Sequence, residues 1–166
     1  MNDRQENVMT PEEVATLVEF EKSIQWRWTS GDPTGYMDAL AEDVTYVDPL
    51  AENFAVGREA VRAHFKRIYA DAGLTRQEYL DESARVISSD EVLLVFTFNT
   101  YQPDDNGGEK LFLSWNMSLI FRKTDGEWLL SHGHLSLRNA WDPDSIPKLR
   151  ESWKRTSVGK QSTVMR

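Results

Sequence analysis

The stretch "YVDPLAENFAVGREAVRAHF", residues 46–65, changes its pattern twice and decides the fold. It begins as a strand, breaks at Asp48 and restarts as a helix after Gly57. Strand alternation puts Val44, Tyr46 and Asp48 on one side of the strand. Asp48 is therefore either a buried base or a turn residue whose carboxylate accepts hydrogen bonds from nearby backbone amides.

Helices are predicted on both sides of this stretch. Upstream, Thr10 and Glu13 form a capping box and Pro11 fits the first helical position, so a first helix runs from there to Gly31. A short second helix begins at Asp32. The residues expected to face the core are Val14, Leu17, Val18, Ile24 and Trp28 on the first helix, Tyr36, Met37 and Leu40 on the second, and Val61, Phe65 and Ile68 on the third, with His64 at the edge of that stripe.

After residue 73 the apolar residues alternate with period two, which predicts strands. Four strands are expected near residues 77–88, 92–101, 110–123 and 128–138, because turn-forming segments separate them. In the third of these strands the expected core face carries Leu111, Leu113, Trp115, Met117, Leu119 and Phe121, and the other face carries Phe112, Ser114, Asn116, Ser118 and Ile120. A short amphipathic helix is expected after the last strand, with its core-facing side chains at Ile146, Leu149 and Trp153.

The composition excludes several classes of function. The chain has 166 residues and a net charge of −8. Because it has no cysteine, disulfides and thiol catalysis are ruled out. The negative charge opposes binding to nucleic acid. Because the sequence contains neither a long apolar run nor a secretory signal, we predict a cytoplasmic protein without a membrane partner.

The order of these elements predicts one α+β domain. Three N-terminal helices would pack on the concave face of a strongly curved, mostly antiparallel sheet to form a cone, followed by a short C-terminal helix. The domain would span residues 1–166, with a core at about 10–138, an extension at 139–156 and a disordered tail at 157–166. Such a cone leaves a cavity, which is a common place for a small ligand.

The segments "AEDVTYVDP", "VGREAVRAHF" and "GEWLLSHGHLS" occur in an order that resembles the nuclear transport factor 2-like superfamily. The resemblance is strongest to its SnoaL-like and ketosteroid isomerase-like branches, and it covers roughly residues 12–138. That superfamily includes isomerases, dehydratases, cyclases, epoxide hydrolases and members that only bind or assemble. The resemblance therefore implies the fold without determining the function.

The resemblance also implies a general base at Asp48, where ketosteroid isomerase-like enzymes carry an aspartate. Apolar neighbours would strip water from this carboxylate and favour its uptake of a proton. Ile24 and Leu119 stand where that isomerase has its two hydrogen-bond donors. Since neither side chain can donate, steroid isomerisation is not expected.

Donors could come instead from the last predicted strand. Strict alternation would turn His132, His134 and Ser136 towards the cavity, opposite Asp48. We therefore predict Asp48, His132 and His134 as catalytic residues, while a purely structural role of the two histidines is the alternative. The predicted ligand-binding residues are Trp28, Tyr46, Asn99, Tyr101, Trp115, Met117, Leu119 and Ser136.

A metal site is also conceivable on this strand. His132 and His134 could chelate a metal ion, with Asp48 or His64 as the third ligand. Metal sites normally come with a recognisable ligand set, and no carboxylate cluster accompanies these histidines. We therefore predict neither a metal nor another cofactor.

Two functions remain open from the sequence. One is an acid–base enzyme, such as an isomerase, cyclase, dehydratase or hydrolase, that acts on a small apolar carbonyl or polyketide-like compound. The other is a noncatalytic ligand-binding or assembly module. In both cases the apolar outer face of the sheet and the resemblance predict a homodimer through that face.

Overall fold

The computed structural model describes residues 9–51, 53–72 and 75–138. The elements in chain order are α1 (Pro11–Thr29), α2 (Thr34–Asp38), β1 (Leu40–Val47), β2 (Ala55–Val56), α3 (Arg58–Ala72), β3 (Arg76–Val86), β4 (Glu91–Pro103), β5 (Glu109–Thr124) and β6 (Glu127–Leu137). The predicted C-terminal helix and tail, residues 139–166, lie outside the described residues.

In the described part of the chain, six strands form one sheet in the order β2-β1-β6-β5-β4-β3. Neighbouring strands are antiparallel except β1 and β6, which run parallel. Register shifts interrupt the pairings of β1 with β6, β3 with β4, β4 with β5 and β5 with β6. Such bulges bend strands and increase their twist. The predicted α+β class with a curved, mostly antiparallel sheet is confirmed.

The helices cover one side of this sheet, which we call the inner face; the opposite side is the outer face. α1 begins with the predicted capping box, because Thr10 and Glu13 exchange hydrogen bonds between side chain and backbone. Leu17 of α1 and Phe65 of α3 belong to the same buried cluster as the alternating residues of β4. On β4 these are Val92, Leu94, Phe96 and Phe98.

A bulge at Ser131 inverts the alternation of β6. Consecutive residues of β5 pair with Leu130 and His132, so Ser131 has no β5 partner of its own. Leu130 and Gly133 are consequently both buried on the inner face although they are three positions apart. Every later side chain of the strand therefore lies on the opposite face from the one that strict alternation predicts.

Gly133 supports the parallel pairing of β1 with β6. It pairs with Tyr46, and a Cβ atom at position 133 would lie 2.7 Å from Cδ2 of the Tyr46 ring. That ring packs edge to face on Phe65 of α3, with centroids 4.8 Å apart. The missing side chain thus lets Tyr46 lie across β6 and contact the helix layer.

The carboxyl group of a helix residue, Glu21, is buried in this core. Glu21 of α1 is fully buried, with Oε1 2.7 Å from the Tyr36 hydroxyl and Oε2 3.4 Å from the Tyr79 hydroxyl. Burial raises the pKa of Glu21 from 4.5 to about 7, although the hydrogen bonds from Tyr36 and Tyr79 act in the opposite direction.

We predict that Gly133→Ala destabilises the protein. The added methyl group displaces the Tyr46 ring from Phe65, at a cost of about 1–3 kcal/mol in the free energy of unfolding. Urea unfolding monitored by circular dichroism measures this change. Ser136→Ala, on the outer face of the same strand, should change stability by less than about 0.5 kcal/mol. A Gly133→Ala protein as stable as the wild type would contradict the close contact.

We also predict that Glu21 makes the folded protein less stable as pH rises. The unfolded carboxyl group ionises near its ordinary pKa of 4.5 and the folded one near 7, so between these values the folded state binds more protons. The free energy of unfolding then falls by roughly 3 kcal/mol as pH increases through this window. Glu21→Gln removes this dependence, and its melting temperature should exceed that of the wild type more at pH 8 than at pH 5.

The matched control for that experiment is Glu19→Gln on the exposed side of the same helix. It should leave the pH dependence of the wild type in place. If the wild type and Glu21→Gln show the same pH dependence, Glu21 titrates in the folded protein as it does in water.

Candidate active site

A cavity of about 410 Å³ lies between the helices and the inner face of the sheet. Its wall is mostly aliphatic and aromatic, with a few polar side chains, which is typical of sites for small organic ligands. The lining residues include Trp28, Phe65 and Ile68 from the helices, Tyr46 and Asp48 at the end of β1, and Phe98, Trp115, Met117, Leu119 and Leu135 from the sheet.

Asp48 follows directly after β1 and is buried, with 6% of its surface exposed. Its Oδ1 accepts a hydrogen bond of 2.7 Å from the backbone N–H of Leu50, which is a turn interaction. Its Oδ2 lies 2.6 Å from Nε2 of His64 on α3. The Asp48 side chain is thus buried and also makes the turn interaction that the sequence offered as the alternative to a buried base.

The proton on His64 can be placed from its second neighbour. Nδ1 of His64 lies 3.0 Å from Nη2 of Arg67, which also donates to the backbone carbonyl of Leu50. A guanidinium group only donates hydrogen bonds, so Nδ1 is the acceptor. His64 is therefore neutral with its proton on Nε2, and it donates that proton to Asp48. Asp48 is consequently a carboxylate held by two donors.

Tyr46 supplies a hydroxyl group beside this carboxylate. Burial and then the negative charge of Asp48 raise the pKa of Tyr46 well above its ordinary value of 10. The hydroxyl group therefore stays protonated, and it makes no hydrogen bond within the described residues. A carboxylate that can accept a proton and a phenol that can donate a hydrogen bond thus line one apolar cavity.

Six of the predicted site residues line this cavity. They are Trp28, Tyr46, Asp48, Trp115, Met117 and Leu119. Trp115 also donates a hydrogen bond of 3.3 Å to the Thr100 hydroxyl group, which fixes the indole in the wall. Ile24 is buried in the core and does not line the cavity.

The prediction that His132, His134 and Ser136 face the cavity is wrong. The bulge at Ser131 turns all three onto the outer face. His132 lies there with Nδ1 2.7 Å from the Thr45 hydroxyl group of β1. Burial, with a smaller contribution from His134, lowers the pKa of His132 below its ordinary value of 6.5. These side chains cannot reach Asp48 through the sheet.

Asn99 and Tyr101 were also predicted to bind ligand, and they too lie outside the cavity. The Tyr101 hydroxyl group donates to Glu78 at 2.6 Å, and Asn99 accepts a hydrogen bond from Ser114. A register shift between β4 and β5 leaves Phe112 without a partner on β4. Phe112 therefore contributes to the cavity wall, and its predicted place on the outer face is wrong.

Sequence reasoning missed the partners that hold the polar groups of the site. His64 was expected at the edge of a helical stripe or as a third metal ligand, and not as the partner of Asp48, although it follows Val61 by three positions and precedes Phe65. Gln25 also lines the cavity, and its position eight residues after Leu17 is the helical spacing that would have indicated the buried side of α1. Both were passed over because polar residues are usually exposed.

The described residues contain no group of three or more metal-ligating side chains that could hold a metal ion. Among the helices that the structure describes, none is both long and apolar enough to cross a membrane.

Comparison with solved structures places this fold among known proteins. A proposed ketosteroid isomerase from Parabacteroides distasonis superposes with a TM-score of 0.65 at 23% identity, covering 86% of this chain and 98% of that one. The association domain of CaMKII from C. elegans gives a TM-score of 0.62 at 21% identity, with 74% and 93% covered. A proposed dehydratase of the nuclear transport factor 2-like family from Streptomyces avermitilis gives a TM-score of 0.64 at 20% identity, covering 77% of this chain and 98% of that one.

These identities establish the fold alone. No curated protein sequence matches the chain significantly. Residues 20–140, however, match the family described as the SnoaL-like domain. This protein therefore belongs to the SnoaL-like domain family, with the nuclear transport factor 2-like fold that the ketosteroid isomerase-like structures share.

Proposed function

We propose that this protein is an acid–base enzyme that binds a small apolar carbonyl compound in its cavity and uses Asp48 as general base. The observation that carries the proposal is the Asp48 carboxylate at an apolar cavity, oriented by the neutral imidazole of His64 and the Leu50 amide. A base held by fixed donors is ready to take a proton without rearrangement of its surroundings. Trp28, Trp115, Met117 and Leu119 would contact the ligand.

The proposed reaction begins with transfer of a proton from a carbon next to the substrate carbonyl group to Asp48. The electron pair of the broken C–H bond moves towards the carbonyl oxygen, and the Tyr46 hydroxyl group donates a hydrogen bond to that oxygen. Protonated Asp48 then returns the proton to the substrate. The first proton transfer is common to isomerisation, cyclisation and dehydration, which differ in the substrate atom that receives the proton from Asp48. The overall reaction within these classes therefore stays open, as does a hydrolase that uses Asp48 to activate water. No metal or other cofactor is part of the proposal.

The alternative is a noncatalytic binding or assembly module. The similarity to the association domain of a kinase favours it, because that protein has the same fold and is described by its role in association. The two proposals differ in one respect that can be measured, namely whether the wild type moves a proton on a bound ketone.

We predict that the wild type accelerates deuterium exchange at the carbon next to the carbonyl group of 2-tetralone, a bicyclic apolar ketone. Asp48→Asn should reduce this acceleration at least about 100-fold, because an amide cannot take the proton. Proton NMR in D2O measures both rates. Asp43→Asn, on the same strand but exposed, is the matched control and should exchange like the wild type.

Circular dichroism must show that Asp48→Asn is folded. Equal exchange in the wild type and in Asp48→Asn would show that Asp48 is not the base. Binding of 2-tetralone without any enzymatic exchange would favour the noncatalytic module.

We further propose that the protein forms a homodimer through the outer face of the sheet. Leu93, Val95 and Ile120 lie on that face and are only half-buried in the single chain. Such an apolar area is suited to a symmetric partner. The description of the kinase neighbour as an association domain is consistent with assembly through this fold.

Light scattering at micromolar concentration should give twice the mass of the chain, 38 kDa from 2 × 19.1 kDa. Ile120→Arg should give the monomer, because a charge is costly to bury in a symmetric interface. Val56→Arg, on the exposed edge strand β2, is the control and should leave the mass unchanged. A wild type of monomeric mass would contradict the dimer.

A further inference from the structure

A chain of three buried polar side chains runs from the core to the cavity wall. The Tyr36 hydroxyl oxygen lies 2.7 Å from Oε1 of Glu21 and is also hydrogen-bonded to Oε1 of Gln25. Gln25 and Tyr36 line the cavity, whereas Glu21 lies behind them and is fully buried. The proposed reaction uses none of these groups.

The number of protons in this chain constrains its state. Tyr36 has one hydroxyl proton and two oxygen neighbours. With the Gln25 amide oxygen turned towards Tyr36, the hydroxyl group donates to Gln25 and its own oxygen accepts from Glu21. Glu21 can donate only when its carboxyl group is protonated. That form is favoured because the partners of Glu21 within the described residues are hydroxyl groups, and the nearby ammonium group of Lys22 binds Glu19 and Glu82 instead.

With Glu21 protonated, the Gln25 amide presents a donor to the cavity. Its oxygen accepts from Tyr36, and its Nε2 makes no side-chain hydrogen bond within the described residues, where Gln25 lines the cavity. When Glu21 is ionised, Tyr36 must donate to the carboxylate instead. Gln25 then satisfies the Tyr36 oxygen only by rotating its amide by about 180°, which turns the amide oxygen towards the cavity.

We propose that Glu21, Tyr36 and Gln25 form a second polar subsite of the cavity. While Glu21 carries a proton, the Gln25 amide donates a hydrogen bond to a carbonyl or ether oxygen of the ligand. When Glu21 is ionised, the subsite no longer favours a ligand with such an oxygen. The inference rests on the proposed function and extends it. The substrate class becomes an apolar ketone with a second oxygen acceptor, one oxygen near Tyr46 and the other at Gln25.

The surroundings of Glu21 support a switch near neutral pH. The groups that face it are Tyr36 from α2, Tyr79 and Glu82 from β3, and Lys22 from its own helix. Burial is the largest influence and raises the pKa of Glu21 to about 7. The carboxyl group is thus protonated below about pH 7 and ionised above it.

The test uses two planar probes that differ only in an oxygen acceptor, fluorenone and fluorene. At pH 5.5 the wild type should bind fluorenone about fivefold more tightly than fluorene, as one added hydrogen bond provides. At pH 8.5 this preference should disappear. Glu21→Gln, whose amide can donate to Tyr36 at any pH, should keep the preference at both pH values. Gln25→Met should lose it at both.

Controls separate this subsite from the other polar groups. Thr29→Val changes a cavity residue whose hydroxyl group donates to backbone carbonyl groups, and it should keep the ratio between the two affinities and the pH dependence of that ratio. Asp48→Asn should keep the preference for fluorenone while losing deuterium exchange, so failure of the catalytic proposal leaves the subsite measurable. If Tyr46→Phe and not Gln25→Met abolishes the preference, Tyr46 binds the ketone and the subsite is refuted.

A second measurement needs no ligand. The side-chain amide signals of Gln25 in a ¹H–¹⁵N spectrum should shift with pH with a midpoint near 7, and Glu21→Gln should abolish this shift. A preference that does not change with pH, signals that do not titrate, or failure of both probes to bind up to their solubility limits in water would each overturn the proposal.

Discussion

The parallel pairing of β1 with β6 determines where the functional groups of this protein lie. The Tyr46 ring lies across Gly133 and packs on Phe65, so β1 is held between the sheet and the helix layer. Asp48 follows two residues later and is carried to the wall of the cavity. A side chain at position 133 would separate these layers. The location of the carboxylate is therefore a consequence of packing at a residue that has no side chain.

Among the residues that the structure describes, two carboxyl groups are buried near one cavity and are stabilised in different ways. Asp48 receives hydrogen bonds from a backbone amide and from a neutral imidazole, and Arg67 keeps that imidazole in the donating tautomer. The hydrogen-bond partners of Glu21 within the described residues are hydroxyl groups, so losing its proton would leave a charge with little compensation. The carboxyl group of Asp48 is thus arranged as a hydrogen-bond acceptor, whereas the surroundings of Glu21 favour the protonated form of its carboxyl group.

This arrangement explains how a widespread fold can host a different site. The SnoaL-like family and its structural neighbours share the cone of helices and curved sheet, and the neighbours include proteins described as isomerase, dehydratase and association domain. In this chain the polar groups that line the cavity include Gln25 on α1, Tyr36 on α2 and Asp48 after β1. Function in this fold depends on such side chains and not on the backbone.

The sequence by itself determined the class of fold, the capping box of α1 and the boundaries of the last four strands to within a few residues. These features depend on local periodicity and on residues close together in the chain. Only the tertiary structure decided which residues accompany Asp48. The bulge at Ser131 moved His132 and His134 to the outer face, and the contact of α3 with β1 brought His64 to the carboxylate. A bulge depends on how neighbouring strands pair, and a contact across 16 residues depends on packing, so neither follows from the periodicity of one segment.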